Sequence, residues 1–143
     1  MNKSSPGAVR VKVWTRVGPT EDDARVRQAV GTFFPEMKFE RVGEKWEGQG
    51  EGREVLSEFR NAVWAKKILD TVRGRFIHRI EGNRTEILIH KQAAFVKKLG
   101  LVDSDRESSL GAIHVVIESE ELEKLVDWLA PKTKEGKPVR KNL

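Results

Sequence analysis

Apolar and polar residues alternate at the start of the chain. Val9, Val11, Val13, Thr15 and Val17 fall on one side, and Arg10, Lys12, Trp14 and Arg16 on the other. A period of two predicts a half-buried strand over Ala8 to Val17. Gly18-Pro19 interrupts it, and Thr20-Glu21-Asp22-Asp23 reads as a helix start with Thr20 as N-cap and Asp23 at the third helical position. Carboxylates there complement the positive end of the helix dipole. That helix runs to about Phe33, burying Ala24 or Val26 with Ala29, Val30 and Phe33, and Pro35 ends it. Met37 to Val42 and Lys45 to Gly50 form two short strands about a turn at Gly43-Glu44.

The longest helical pattern runs from Arg53 to about Phe76. Val55, Leu56, Phe59, Val63, Ile68, Leu69, Val72 and Phe76 recur mostly at three- and four-residue steps, with a break expected between Ala62 and Lys67. A short strand around Ile77 to Ile80 and the turn Glu81-Gly82-Asn83-Arg84 lead into a strand at Glu86 to His90. At Lys91 the alternation fails, because a continued strand would bury Lys91 beside Ile87 and Ile89. A short helix starting there resolves the conflict. It places Gln92, Phe95, Val96 and Leu99 at helical spacing, and its first backbone N–H groups, with Lys91, suit an anion. Ala93 and Ala94 let the backbone approach a neighbour. After a polar loop at 100–109, Gly111 to Ile117 is a buried strand. Glu118 to Ala130 is a final helix, capped by Ser119, with Leu122, Leu125, Val126 and Leu129 as its stripe. The order is β-α-β-β-α-β-β-α. With few long crossovers, the expected fold is α+β, a mainly antiparallel sheet with helices packed on one face. A single domain is expected over 8–139, with flexible tails at 1–7 and 140–143.

Composition narrows the function. Charged residues make up 34% of the 143 positions, above the usual ~25%, a balance that suits a cytosolic protein from a hot environment. The absence of cysteine excludes disulfides, thiolate metal sites and cysteine catalysis. No run approaches the ~18 apolar residues of a membrane span, and the N-terminus has no apolar signal core, so a soluble, cytoplasmic protein is expected. Gly48-Gln49-Gly50-Glu51-Gly52 lacks the spacing of a dinucleotide or P-loop. His78, His90 and His114 belong to no ligand motif, and no nucleophile elbow or paired carboxylate in an apolar setting appears. The expectation is a protein that is not an enzyme, with no metal and no cofactor.

Net charge is +5, but its distribution says more. Residues 53–98 carry eleven basic and five acidic residues, whereas 99–130 carry two basic and eight acidic. Such segregation predicts a dipolar surface with one face open to a polyanion. The candidate RNA contacts are Arg60, Lys66, Lys67, Arg73, Arg75, Arg79 and Lys91 on phosphates, with Gln92 on a 2′-OH or base edge. The competing reading is a protein-interaction or self-association module, a homodimer in which the basic half of one subunit meets the acidic 103–127 segment of another. On the first strand, Trp14 among basic residues offers a ring for stacking, unless a helix or a partner covers it.

Several segments also carry a family resemblance: Val17-Gly18-Pro19-Thr20-Glu21, Ile68-Leu69-Asp70-Thr71-Val72-Arg73, Lys91-Gln92-Ala93-Ala94-Phe95-Val96, Leu110-Gly111-Ala112-Ile113 and Asp127-Trp128-Leu129-Ala130-Pro131-Lys132-Thr133. Gly136 and Pro138-Val139 follow them. In this order, over residues 8 to 139, the chain resembles a family of small archaeal proteins described as predicted RNA-binding proteins, with the Lys91-Gln92-Ala93-Ala94 motif as its mark. The resemblance implies an α+β fold like that of the 5S-rRNA-binding ribosomal protein of the large subunit, likened also to double-stranded-RNA-binding domains. It implies structured or double-stranded RNA as partner and brings no catalytic residues with it.

Overall fold

The computed structural model describes residues 8–134 and 137–138. The chain runs β1 (Val9–Arg16), α1 (Asp23–Gly31), β2 (Lys38–Val42), β3 (Lys45–Glu51), α2 (Ser57–Lys66), α3 (Leu69–His78), β4 (Arg84–His90), α4 (Lys91–Phe95), β5 (Leu101–Val102), β6 (Ala112–Ser119) and α5 (Leu122–Leu129). Two short strands, β7 (Thr133–Lys134) and β8 (Lys137–Pro138), pair with each other. The six longer-range strands form one sheet in the order β2-β3-β1-β6-β4-β5, with every pairing antiparallel.

Alternation in β1 decides which side of the sheet is covered. Val9, Val11 and Val13 join Ile87 and Ile89 of β4 and Ile113, Val115 and Ile117 of β6 in one apolar cluster. The helices supply its other half, with Val30, Leu56, Phe59, Val63, Val72, Phe76, Leu125 and Leu129. Two buried threonines on this face satisfy their hydroxyls internally: Thr15 donates to the Ala112 carbonyl at 2.9 Å and Thr85 to the Phe76 carbonyl at 2.6 Å. Among the described residues no α-helix contributes to the cluster on the opposite face. That face presents mostly polar residues across the strands, such as Lys12 opposite Gln49, and Arg10 opposite Glu51 and Glu118. Only its β4–β5 end is dry, where Leu88, Val102 and Ala112 form a second small cluster.

The α+β class, the antiparallel sheet and the change of structure at Lys91 agree with the sequence pattern. Several local expectations do not. Asp22, not Thr20, caps α1, its Oδ1 accepting from the N–H groups of Ala24 and Arg25. Ala24 is exposed, and Val26 fills the buried position. The long helical pattern does break where expected, at Lys67, which takes a left-handed conformation (φ 62°) and donates its N–H to the Trp64 carbonyl. Ile77 to Ile80 is not a strand, because α3 continues through His78. The 100–109 loop contains an unforeseen edge strand, β5. Strand β6 runs on to Ser119, so Ser119 precedes α5 instead of capping it, its Oγ accepting from the Glu121 N–H at 3.1 Å. The expected tails at 1–7 and 140–143 lie outside the described residues.

Candidate nucleic-acid interface

The eight expected RNA contacts fall into three groups, and Lys91 stands alone as a correction. Its side chain is completely buried. All three ammonium protons are used inside the protein: Nζ donates to the Arg16 carbonyl at 2.5 Å, to Glu21 Oε1 at 2.8 Å and to the Leu110 carbonyl at 3.1 Å. Glu21 is itself only 5% exposed, and its Oε1 also accepts from the Gly18 N–H. Glu21 Oε2 is buried without a hydrogen-bond partner among the described residues. Lys91 thus ties the end of β1, the approach to α1 and the turn before β6 to the start of α4. A buried, fully bonded ammonium has nothing left for a phosphate. The first turn of α4 is likewise occupied, since His90 Nδ1 accepts from the Ala93 N–H at 3.0 Å. The expected anion site there is therefore replaced by an internal cap.

Arg73, Arg75 and Arg79 form the second group, and each faces the acidic half of its own chain. Arg73 pairs with Asp127 at 2.7 Å and also donates to the Ala130 carbonyl. Arg75 pairs with Asp103 at 3.1 Å and donates to the Val102 carbonyl, while Arg79 donates to the Asp103 carbonyl at 2.5 Å. Two ion pairs, Arg73–Asp127 and Arg75–Asp103, therefore join the basic and acidic segments within one molecule. Arg60, Lys66, Lys67 and Gln92 are the third group. Lys66, Lys67 and Gln92 are exposed, and Arg60 is stacked between two tryptophans.

The open sheet face is also balanced. Arg10 pairs with Glu118 at 3.3 Å and Lys12 with Glu47 at 3.8 Å. Trp14 is not covered by a helix. It stacks on His114, with ring centroids 3.9 Å apart and planes within 8°, and Lys45 Nζ sits 4.4 Å from its ring. His114 is held from both edges, by Glu86 at 2.9 Å and by Asp105 at 3.0 Å. The hydrogen bond from His114 holds the Glu86 carboxyl below its usual range, against an opposing effect of burial. This arrangement clamps the 103–111 loop onto the sheet.

The region beside α1 escapes this balancing. Burial of Val26, Ala29 and Val30 turns Arg25, Gln28 and Thr32 of the α1 segment away from the sheet. Helix α4 packs against that segment through buried Ala94, and Thr32 Oγ1 donates to the Ala94 carbonyl at 3.3 Å. Between them lies an open groove of about 450 Å³, lined by Arg25, Arg27, Gln28, Thr32, Phe95 and Lys97 with apolar residues at its floor. Every charged lining residue is a cation. Arg25 lies over the Phe95 ring at 5.4 Å and Arg27 over Phe39 at 4.9 Å. None of Arg25, Arg27 and Lys97 has a carboxylate partner among the described residues. Lys97 belongs to the lysine pair after Phe95 that is visible in the sequence. Arg25 and Arg27 were missed because an acidic helix start hides them in any local charge count.

Known proteins share this architecture. A family model described as RNA binding matches residues 10–119. A UPF0201 protein of Metallosphaera sedula is 38% identical over 137 residues, covering 93% of this chain and 95% of that one. The chain belongs to the UPF0201 family. A second archaeal UPF0201 relative, from Saccharolobus solfataricus, is 40% identical over 141 residues, covering 94% of this chain and 95% of its own length. The crystal structure of a UPF0201 protein from Methanococcus jannaschii aligns with a TM-score of 0.77 at 27% identity, over 92% of this chain and 99% of that one. Neither the family's description nor these UPF0201 names denotes an enzyme. Among the described residues no helix is long and apolar enough to cross a membrane, and no group of histidines and carboxylates could hold a metal ion.

Proposed function

We propose that this UPF0201 protein binds structured RNA through phosphate and shape contacts, with the groove between α1 and α4 as the principal phosphate track. The observation that carries the proposal is the groove's charge. Its ionised lining residues are Arg25, Arg27 and Lys97, with no acid among them, while Arg73, Arg75, Arg79 and Lys91 are spent on internal partners. A cation already paired must break that pair before it can neutralise a phosphate, so uncompensated cations dominate binding. Gln28 in the groove and exposed Gln92 on α4 are placed to reach 2′-hydroxyls or base edges. Lys66 and Lys67 at the end of α2 are further exposed cations. The family description points the same way, as does the likeness to the 5S-rRNA-binding ribosomal protein read from the sequence.

Fluorescence anisotropy with a labelled RNA hairpin across a salt series tests this. Affinity should fall steeply with salt. Arg27→Gln and Lys97→Gln should each lower the slope of log affinity against log salt by about 0.7–0.9, one phosphate contact each. Arg73→Gln and Arg75→Gln should leave the slope unchanged. Absence of hairpin binding at low salt, or loss of slope from the Arg73 and Arg75 variants alone, would refute it.

A further inference from the structure

A second cationic cluster lies outside the groove and has a different construction. Arg53 opens the single 3₁₀ turn between β3 and α2. Arg60 and Trp64 stand one turn apart on α2, and Trp128 lies near the end of α5. The Arg60 guanidinium is 4.5 Å from the Trp64 ring and 5.0 Å from the Trp128 ring. Arg53 is also 5.0 Å from the Trp128 ring. The frame is fixed by two hydrogen bonds to α5: Arg60 Nε donates to the Trp128 carbonyl at 2.7 Å, and Trp64 Nε1 to the Leu129 carbonyl at 3.0 Å.

Arg60 alone would complete a structural stack. Arg53 adds a second positive charge beside it, and burial and that charge together pull the Arg60 pKa down. Such a like-charge pair is unfavourable unless something negative joins it. Nothing on the chain does so among the described residues. Glu58 is bound to Asn61 and Asp127 to Arg73. The Glu54 carboxylate lies against Gly52. Among the described residues the Arg53 guanidinium makes no hydrogen bond, and the only hydrogen bond of the Arg60 guanidinium is that of Nε. Two planar forks, held in place by aromatic faces, match the oxygens of a tetrahedral oxyanion, and pre-ordering them reduces the entropy lost on binding.

We infer that Arg53 and Arg60, braced by Trp64 and Trp128, form a phosphate-binding site separate from the groove. Its ligand is a phosphate group, carried either by an RNA strand or by a free phosphate compound.

The test is a ¹H–¹⁵N titration of the full chain, following the Arg60 Nε–H and the Trp64 and Trp128 indole N–H signals at constant ionic strength. Three probes are used: inorganic phosphate, a 5′-phosphorylated single-stranded oligoribonucleotide, and the same strand with a 5′-hydroxyl. Saturable shifts of these signals are expected with at least one probe, and Arg53→Gln should weaken that binding by about tenfold or more, the loss of one charge-assisted contact. Arg53 is exposed, so this variant should melt as the wild type does. Equal shifts with inorganic phosphate assign a free phosphate compound. Preference for the 5′-phosphorylated strand assigns a terminal phosphate, and equal tight binding of both strands assigns a phosphodiester. The double variant Arg25→Gln/Arg27→Gln should lose hairpin affinity and keep these shifts, so failure of the groove and failure of this site are read separately. No saturable shift with any probe, or an Arg53→Gln variant that binds as tightly as wild type, overturns the inference.

Discussion

Replacing Lys91 with methionine keeps the side chain's length and removes its charge. The Glu21 carboxylate, 5% exposed, then loses its only counter-ion among the described residues, and the Arg16 and Leu110 carbonyls lose a donor. Breaking a buried pair from one side costs about 3–5 kcal/mol, chiefly because a buried charge is stranded. That is a large part of the ~5–15 kcal/mol stability of an ordinary domain. At about 2–4 °C per kcal/mol for a chain near this size, the melting temperature should fall by roughly 6–20 °C. Urea unfolding followed by circular dichroism gives the free energy, and thermal melting checks it. Adding Glu21→Gln to Lys91→Met removes the stranded charge while keeping an acceptor for the Gly18 N–H, so the double variant should recover at least ~1 kcal/mol. Hairpin affinity of the folded Lys91→Met protein should equal that of wild type. A variant within about 1 kcal/mol of wild type in stability, yet deficient in RNA binding, would refute the assignment of Lys91 to the interior.

Other expectations are smaller. Gly74 lies in the exposed middle of α3 with nothing within 4 Å of an added Cβ, so Gly74→Ala should stabilise the protein by about 0.5–1 kcal/mol in the same urea assay. Gly82 has a φ of +62° in equally open space, and Gly82→Ala should cost roughly 1 kcal/mol through backbone strain alone. The Glu86 carboxyl is depressed in the folded state, mainly by the His114 hydrogen bond. Its contribution is present above its ordinary value of 4.5 and is lost as pH falls below that through the lower folded value. Glu86→Gln should remove that part of the acid-side fall in melting temperature. Asp127→Asn should destabilise by about 1 kcal/mol in the same urea assay, because Arg73 loses its carboxylate partner.

Periodicity made the sheet readable and failed where tertiary contacts decide. The strict alternation of β1 located its buried face, and the conflict at Lys91 located the strand-to-helix transition. The short helix does start there, but it does not keep Lys91 out of the core. Lys91 does enter the core, because Glu21 and two carbonyls, as far away as residue 16, meet it there. No local pattern announces those partners. The two-residue strand β5 was equally silent, since Leu101-Val102 is too short to show a period. Among the site residues, charge counting along the chain put Arg73, Arg75 and Arg79 on a binding face. The fold lays the acidic segment against them. Arg25 and Arg27 carried the opposite error, being averaged away beside Glu21, Asp22 and Asp23 although those acids are buried, used as a cap or paired with Arg41.

The central place of β1 bears on how the protein is made. Its first neighbour, β3, follows within about three dozen residues, but its second, β6, pairs Val9 with Ser119 near the other end of the chain. At roughly 5–20 residues per second, the ribosome leaves one edge of β1 open for several seconds after the β2–β3 hairpin has emerged. A bare apolar strand edge invites pairing with a neighbouring nascent chain. Arg10, Lys12 and Arg16, which the finished sheet places on its mostly polar face, give that waiting edge a run of like charge. Like charges on two such edges oppose that pairing until β6 arrives.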